Sequence, residues 1–246
     1  MSDYDNFADE YSSSMAGEGD FHHRTSIDPQ VYSMIGNPKG RCIYDIGCGN
    51  GYMARKLANQ GAKVSASDLS KKLIKIAREK SKGLNIQYTV HDATDFSPYK
   101  DNSFDSVVMN MVIHYVRDLD RLFAGVSRVL KDDGSFIFST SHFFRPDYPY
   151  SEWVEGKIGD KKQLFIKVTG YLEPTLAKVV SWWDNKTELK IYNRPLNILV
   201  NKMSKYRLYT SRVEEPESVG FAKDYSKELQ KSHHIPTFII IEAIKK

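Results

Sequence analysis

The 246-residue sequence predicts a single α/β domain. It should be a doubly wound parallel sheet with helices on both faces and right-handed crossovers. Three observations predict it. Short apolar runs alternate with helical patterns from Cys42 to Thr140. A glycine-rich turn, Asp45-Ile46-Gly47-Cys48-Gly49-Asn50-Gly51, joins the first run to the first helix. Acids stand at the ends of three successive predicted strands: Asp45, Asp68 and Asp92.

The elements follow in order. Tyr4, Phe7 and Tyr11 recur at helical spacing and predict a short helix in an N-terminal cap over residues 1–36. Asp28-Pro29 starts a second short helix through Ile35, with proline in its first turn. Cys42–Ile46 reads as a buried strand, and Tyr52–Gln60 as a helix stopped by Gly61. Val64–Ser67 is the second strand. Ser70 can cap a helix running to about Lys82. Ile86–Val90 and Phe104–Met109 are the third and fourth strands, Asp118–Lys131 a helix, and Gly134–Thr140 the fifth strand. The rhythm breaks over residues 142–193, which hold ten of the 30 aromatic residues and all three tryptophans. Within that insert Val179–Trp183 and Thr187–Ile191 predict a hairpin about Asp184-Asn185-Lys186. The alternation resumes with a helix from Asn193-Arg194-Pro195 to about Ser204, a strand over Tyr206–Val213 and a last strand over Thr237–Ala243.

Composition narrows the function classes. With 41% hydrophobic and 27% charged residues, disorder and fibrous architectures are excluded. No apolar run reaches the ~18 residues of a membrane helix. Met1–Asp20 is acidic and serine-rich, without the apolar core of a secretory signal. Cys42 and Cys48 alone build no disulfide framework, which makes a reduced cytoplasmic setting the expectation. The net charge is +4, and the densest basic cluster (Lys71, Lys72, Lys75, Arg78, Lys80, Lys82) suits the wet face of a helix. A dedicated nucleic-acid surface is not indicated, nor is it excluded. The pairs His22-His23 and His233-His234 lack ligand spacing and read as solvated, so no metal site is expected.

The chemistry concentrates in the glycine turn. Glycines there let the backbone turn sharply and let a ligand touch the main chain, facing helix N-terminal amides. A dinucleotide site would show G-x-G-x-x-G, whereas here Tyr52 follows Gly51. The Asp45 carboxylate would repel a pyrophosphate but can accept from an ammonium, which points to a ligand with an amino acid end. Asp68 can take both hydroxyls of a ribose, and Asp92 with Ala93 can bond an adenine amino group. All three acids border the crevice where such sheets bind ligands.

On these residues, together with Phe104-Asp105-Ser106-Val107-Val108 and Leu130-Lys131-Asp132-Asp133-Gly134, residues 41–140 resemble a class I S-adenosylmethionine-dependent methyltransferase of the small-molecule type, akin to methyltransferase type 11. The resemblance implies a Rossmann-like sheet of seven strands with the last antiparallel. It implies S-adenosyl-L-methionine as cofactor, S-adenosyl-L-homocysteine as product, and no metal. By position, Asp45, Gly47, Cys48, Gly49 and Gly51 would hold the methionine end, Asp68 and Leu69 the ribose side, and Asp92 and Ala93 the adenine. Asn110 and Met111 would lie beneath the sulfonium. Ser139-Thr140-Ser141-His142 resembles the Ser-x-x-His-Pro segment of some members, with Phe143 in place of proline.

The implied function is in-line methyl transfer to an O or N atom of a small organic acceptor. His114 and His142, beyond the fourth and fifth strands, are the candidate general bases. A packed or cofactor-contacting histidine beside Tyr115 is the other reading of His114. Asn110-Met111-Val112-Ile113 is not the Asn/Asp-Pro-Pro-aromatic signature of amino-group methylation on adenine or glutamine. No cysteine stands where a cytosine C5 enzyme needs its nucleophile, and no paired-glutamate loop suits arginine methylation. Tyr11, Arg24, Tyr115, Tyr148 and Trp182 are the acceptor-contact candidates. The insert's aromatics can wall a small-molecule pocket, stack on a base, or form a small core of their own. Residues 142–193 are expected to act as a lid at the cofactor edge. Two other readings stand beside this one: an RNA, notably tRNA, methyltransferase of the same fold, and a cofactor-binding regulator without acceptor chemistry.

Overall fold

A computed structural model of the chain describes residues 3–15, 17–144, 151–181, 186–217 and 236–246. Its strands are β1 (Cys42–Ile46), β2 (Lys63–Asp68), β3 (Ile86–Val90), β4 (Phe104–Asn110), β5 (Leu130–Ser141), β6 (Ser151–Ile158), β7 (Lys161–Val168), β8 (Thr175–Val180), β9 (Glu188–Asn193), β10 (Leu208–Glu214) and β11 (Phe238–Lys245). Its helices are α1 (Ala8–Ser14), α2 (Asp28–Ile35), α3 (Tyr52–Asn59), α4 (Lys71–Lys80), α5 (Leu119–Val129) and α6 (Leu196–Lys205). Seven strands form one sheet in the order β10-β11-β5-β4-β1-β2-β3. β1 to β5 pair in parallel, while β11 runs antiparallel to both β5 and β10. The doubly wound sheet with an antiparallel last strand is thus present.

Strand alternation sorts the sheet's side chains into two cores. Tyr44, Ile46, Val107, Met109, Phe136 and Phe138 pack with Leu122, Phe123 and Val126 of α5 and Leu199 and Met203 of α6. Ile43, Val108 and Ile137 face the other way, against Val31 and Ile35 of α2, Met53 and Leu57 of α3, and Ile74 of α4. Two of the helices start on side-chain caps: Ser70 Oγ accepts from Leu73 N at 3.1 Å, and Asp118 Oδ1 from Arg121 N at 2.9 Å.

Two boundaries differ from the sequence expectation. α5 ends at Val129, and β5 begins at Leu130 rather than Gly134. Leu130 is fully buried and pairs with Phe104, so strand pairing overrides the helical periodicity that continues through it. The insert does hold a hairpin, β8–β9, whose last pair is Val180 opposite Glu188; its first strand runs Thr175–Val180 rather than Val179–Trp183, of which residues 182 and 183 lie outside the described residues. A second hairpin, β6–β7, was not expected. Its β6 residues are largely exposed and charged, so no clean two-residue alternation marks it. Among the described residues no helix is long and apolar enough to cross a membrane.

Gly125 lies inside α5, where alanine would ordinarily gain about 1 kcal/mol of helix propensity. A Cβ there would lie 2.0 Å from Cδ2 of Phe96, whose ring is buried. Overpacking of about 1–3 kcal/mol outweighs the propensity gain. Gly125→Ala is therefore expected to destabilise the protein, lowering the urea midpoint at an unchanged m-value.

Candidate active site

The strand order reverses between β1 and β4, so the crevice of a doubly wound sheet opens at their C-terminal ends. Alternation then decides which side chains reach it. Asp45 continues the row of Ile43 in β1, Asn110 that of Val108 in β4, and Ser139 that of Ile137 in β5. Three polar side chains thus gather at the sheet edge on the α2 and α3 face.

Asp45 is 2% exposed; its carboxylate accepts from the Ala54 N–H, and its Oδ2 has no hydrogen-bond partner. Burial, then the charges of Asp68 and Asp28, pushes its pKa up to about 7. The turn after it needs its glycines. Gly47 has φ +70°, and a Cβ there would lie 2.5 Å from Val112 Cγ2 in the segment after β4. Gly49 has φ +54°, and its Cβ would meet the Tyr11 ring at 3.2 Å. The Gly49 N–H donates to Asp68 Oδ2 at 2.9 Å, and the Ser70 N–H to Asp68 Oδ1 at 2.8 Å. Burial raises the Asp68 pKa against these two bonds. Cys48 is buried too, which pushes its thiol well up and leaves it a packed, unreactive group.

The N-terminal cap closes over this turn. Asp5 accepts from Ser70 Oγ at 2.7 Å and from Lys72 N at 3.2 Å, which seats the cap on the start of α4. Tyr4 donates its hydroxyl to Tyr115 at 2.9 Å and meets the Tyr11 ring edge-on at 5.4 Å. Asp92 lies exposed after β3, its Oδ1 bonded to Thr94 N and Oγ1 at 2.8 and 2.6 Å. Leu69 is half exposed, and Ala93 packs on the α5 core.

The sequence profile of the methyltransferase domain family matches residues 44–138, from the first strand to the fifth. A solved S-adenosylmethionine-dependent methyltransferase from Mesorhizobium loti superposes with a TM-score of 0.72 at 26% identity, over 88% of this chain and 96% of that one. By this match and this fold the chain is an S-adenosylmethionine-dependent methyltransferase. It is also 32% identical to a ubiquinone biosynthesis O-methyltransferase of Xanthomonas axonopodis pv. citri, over 105 residues. That match covers 42% of this methyltransferase and 44% of that enzyme, so it spans less than half of either. An uncharacterised Haemophilus influenzae protein is 25% identical over 228 residues, 88% of this chain and 86% of that one.

The residues present fit the methyltransferase cofactor. The unbonded oxygen of Asp45 suits an ammonium group, and Gly47, Gly49 and Gly51, all at positive φ, bend the chain sharply at the sheet's C-terminal edge. The bases expected of such a methyltransferase are differently placed. The His114 ring lies tilted against Tyr115, centroids 4.3 Å apart, with its Nδ1 3.2 Å from Thr140 Oγ1. His142 has both ring nitrogens engaged: Nε2 lies 2.9 Å from Glu215 Oε1, and Nδ1 accepts from the Phe144 N–H at 3.2 Å. Arg24 is exposed on the π-helical turn His23–Ile27, while Tyr11 and Tyr115 meet through Tyr4. Tyr148 and Trp182 lie outside the described residues. His23 is buried rather than solvated, because Asp20 Oδ1 sits 2.8 Å from its Nδ1. Among the described residues no group of three or more His, Cys, Asp or Glu could hold a metal ion.

Sequence reasoning missed Asp28 and Tyr52, and named Ser139 only as part of the Ser139–His142 segment. Asp28 Oδ1 accepts from Tyr52 Oη and from Asn110 Nδ2, each at 3.0 Å. Ser139 donates to Asn110 Oδ1 and accepts from the Met111 N–H at 2.9 Å. The one sequence signal was an acid at the head of a helix, which reads as a local start signal.

The raised pKa of Asp45 has a defined sign. A carboxyl raised by folding stabilises the unliganded protein fully below about pH 3.8 and loses that contribution as pH climbs toward 7. The unliganded protein is expected to lose stability over pH 5–7, with Asp45 contributing up to about 1.4 kcal/mol per unit. Asp45→Asn should flatten that slope in urea titrations. A cationic ligand favours the carboxylate, so cofactor affinity measured by calorimetry should rise with pH over the same range.

Proposed function

We propose that this methyltransferase transfers the methyl group of S-adenosylmethionine by in-line displacement to an O or N atom of a small organic acceptor. The observation that carries the reading is the aromatic closure above the glycine turn. Tyr4, Tyr11 and Tyr115 form a contiguous wall there. The inner face of the β8–β9 hairpin, through Ala177, Val179 and Ile191, packs on Tyr115 from the other side. A closure built of rings suits a small apolar or planar molecule. The sequence relationship to an O-methyltransferase, over 105 residues, supports an oxygen acceptor.

When bound, the cofactor supplies an activated methyl on sulfur. The chain's task is to orient the acceptor, exclude water and accept a proton. Asp45, Gly47, Cys48, Gly49 and Gly51 would hold the methionine end, Asp68 and Leu69 the ribose, Asp92 and Ala93 the adenine, and Asn110 and Met111 the methyl side. His114 is the better candidate base. Thr140 and Tyr115 fix its ring at the end of β4, whereas the His142 nitrogens are committed to Glu215 and Phe144. The insert at 142–193 would act as the acceptor lid, since β8–β9 already reaches Tyr115.

Labelled methyl transfer into a cell extract, split into metabolite, RNA and protein fractions, tests this reading. Label is expected in the metabolite fraction; label confined to RNA would replace it with the RNA reading. For an oxygen acceptor, His114→Gln is expected to slow transfer by about 10²–10⁴-fold with cofactor affinity nearly unchanged. A rate equal to wild type would remove His114 as the base.

A further inference from the structure

We infer that Asp28 and Asp45 together form a two-carboxylate seat for the α-ammonium group of the cofactor's methionine end, with Asp28 contributed by the helix before the sheet. The inference rests on S-adenosylmethionine as cofactor and is independent of the acceptor.

Asp28 is a buried acid at the head of a helix. It is 3% exposed and stands at the first position of α2, packed against Tyr52 at the start of α3. One oxygen is well satisfied by Tyr52 and Asn110. The other, Oδ2, is buried without a hydrogen bond, and the Lys56 ammonium at 3.7 Å is beyond hydrogen-bond reach. Asp45 Oδ2 is in the same condition. Asp45 pairs with Val108 of β4, two residues before the Asn110 that bonds Asp28, and Tyr32, one turn along α2, packs on the same core, so the three groups lie on one side of the sheet at its C-terminal edge. The Tyr32 hydroxyl is likewise buried without a hydrogen bond. Unsatisfied buried acceptors are uncommon in native proteins, and three together need a common explanation.

An ammonium supplies it. The group carries three N–H donors and a positive charge, matching two carboxylates and a hydroxyl oxygen. A carbonyl-bearing or phosphate ligand would be repelled by the same pair. The locale is also in the right place. Asn110 links Asp28 directly to the end of β4, where the crevice opens, and Asp45 leads into the glycine turn. Tyr52 and the cap close the seat in this structure. Gly19, just ahead of the π-helical turn, lies so near the Tyr52 ring that a Cβ on it would stand 3.1 Å away. Entry of the ammonium therefore requires Tyr52 and the cap segment to shift.

The test compares two ligands on two proteins by calorimetry: S-adenosylhomocysteine and its deaminated analogue, which keeps the carboxylate, on wild type and on Asp28→Asn. Loss of a charged hydrogen bond should weaken S-adenosylhomocysteine binding by about 10–100-fold in Asp28→Asn. The deaminated analogue should bind Asp28→Asn no more weakly than wild type. Equal weakening of both ligands would reduce Asp28 to a structural support, and unchanged S-adenosylhomocysteine binding would remove it from the site. If Asp28→Asn does not fold, the wild-type complex decides: the ammonium nitrogen should stand about 2.7–2.9 Å from an Asp28 oxygen, and an ammonium held elsewhere overturns the seat. Failure of wild type to bind S-adenosylhomocysteine at all would overturn the cofactor assignment itself, an outcome distinct from any of these.

Discussion

Buried, partly unpaired carboxylate is the constraint around which the rest of this methyltransferase is arranged. Asp45 stands where the alternation of β1 would otherwise place an aliphatic side chain beside Ile43, and Asp28 faces the same layer from α2. Removing such a group from water costs several kcal/mol unless bonds and opposite charge restore it. The protein restores part of it, through the Ala54 amide on Asp45, through Tyr52 and Asn110 on Asp28, and through Lys56 nearby. Burial still leaves the pKa of both acids raised. The deficit that remains is one a cationic ligand would recover.

The cap depends on the same edge. Asp5 ties the first turn of the chain to Ser70 and Lys72, and Ser70 also caps α4 and stands two residues from Asp68. The residue meant for the ribose and the segment that covers the site are therefore fastened to one helix terminus. Asn50 adds a second tie, from the glycine turn to Ser12 of α1 at 3.3 Å. Apolar packing holds the cap as well: Met15 and Tyr11 join the core of α3, and Ala8 is buried. Entry and release of a ligand behind Tyr11 would require this segment to move.

Much of this was legible in the sequence because the decisive signals are local. The run Cys42–Ile46 is bounded as expected, since glycines and a full apolar row mark both ends. The glycine turn announced a ligand against the main chain, and positive φ at Gly47 and Gly49 is the physical content of that spacing. Asp28 was legible only as a helix start. Its site role arises from a hydrogen bond to Asn110, 82 positions away, and no periodicity encodes it. The β6–β7 hairpin was illegible for another reason: a strand exposed on both faces has no core to impose alternation.

The end of β5 ties these levels together. A strand that is apolar from Phe136 to Phe138 turns polar at Ser139-Thr140-Ser141-His142, yet every one of the four is buried. Buried polar side chains need partners, and the alternation hands them out in turn. Ser139, on the α2 and α3 face, takes the Met111 amide and bonds Asn110. Thr140, on the opposite face, meets His114, and His142 meets Glu215 at the end of β10. Met111 shows why the first is needed. Its φ of +57° is a left-handed conformation that costs a bulky residue about 1–3 kcal/mol. The Ser139 hydroxyl offsets that cost by accepting the amide, while its own proton goes to Asn110. The polar end of β5 is thus best understood as a row of fasteners. It holds the turn after β4 in a strained shape and keeps the Asn110 amide aimed at Asp28.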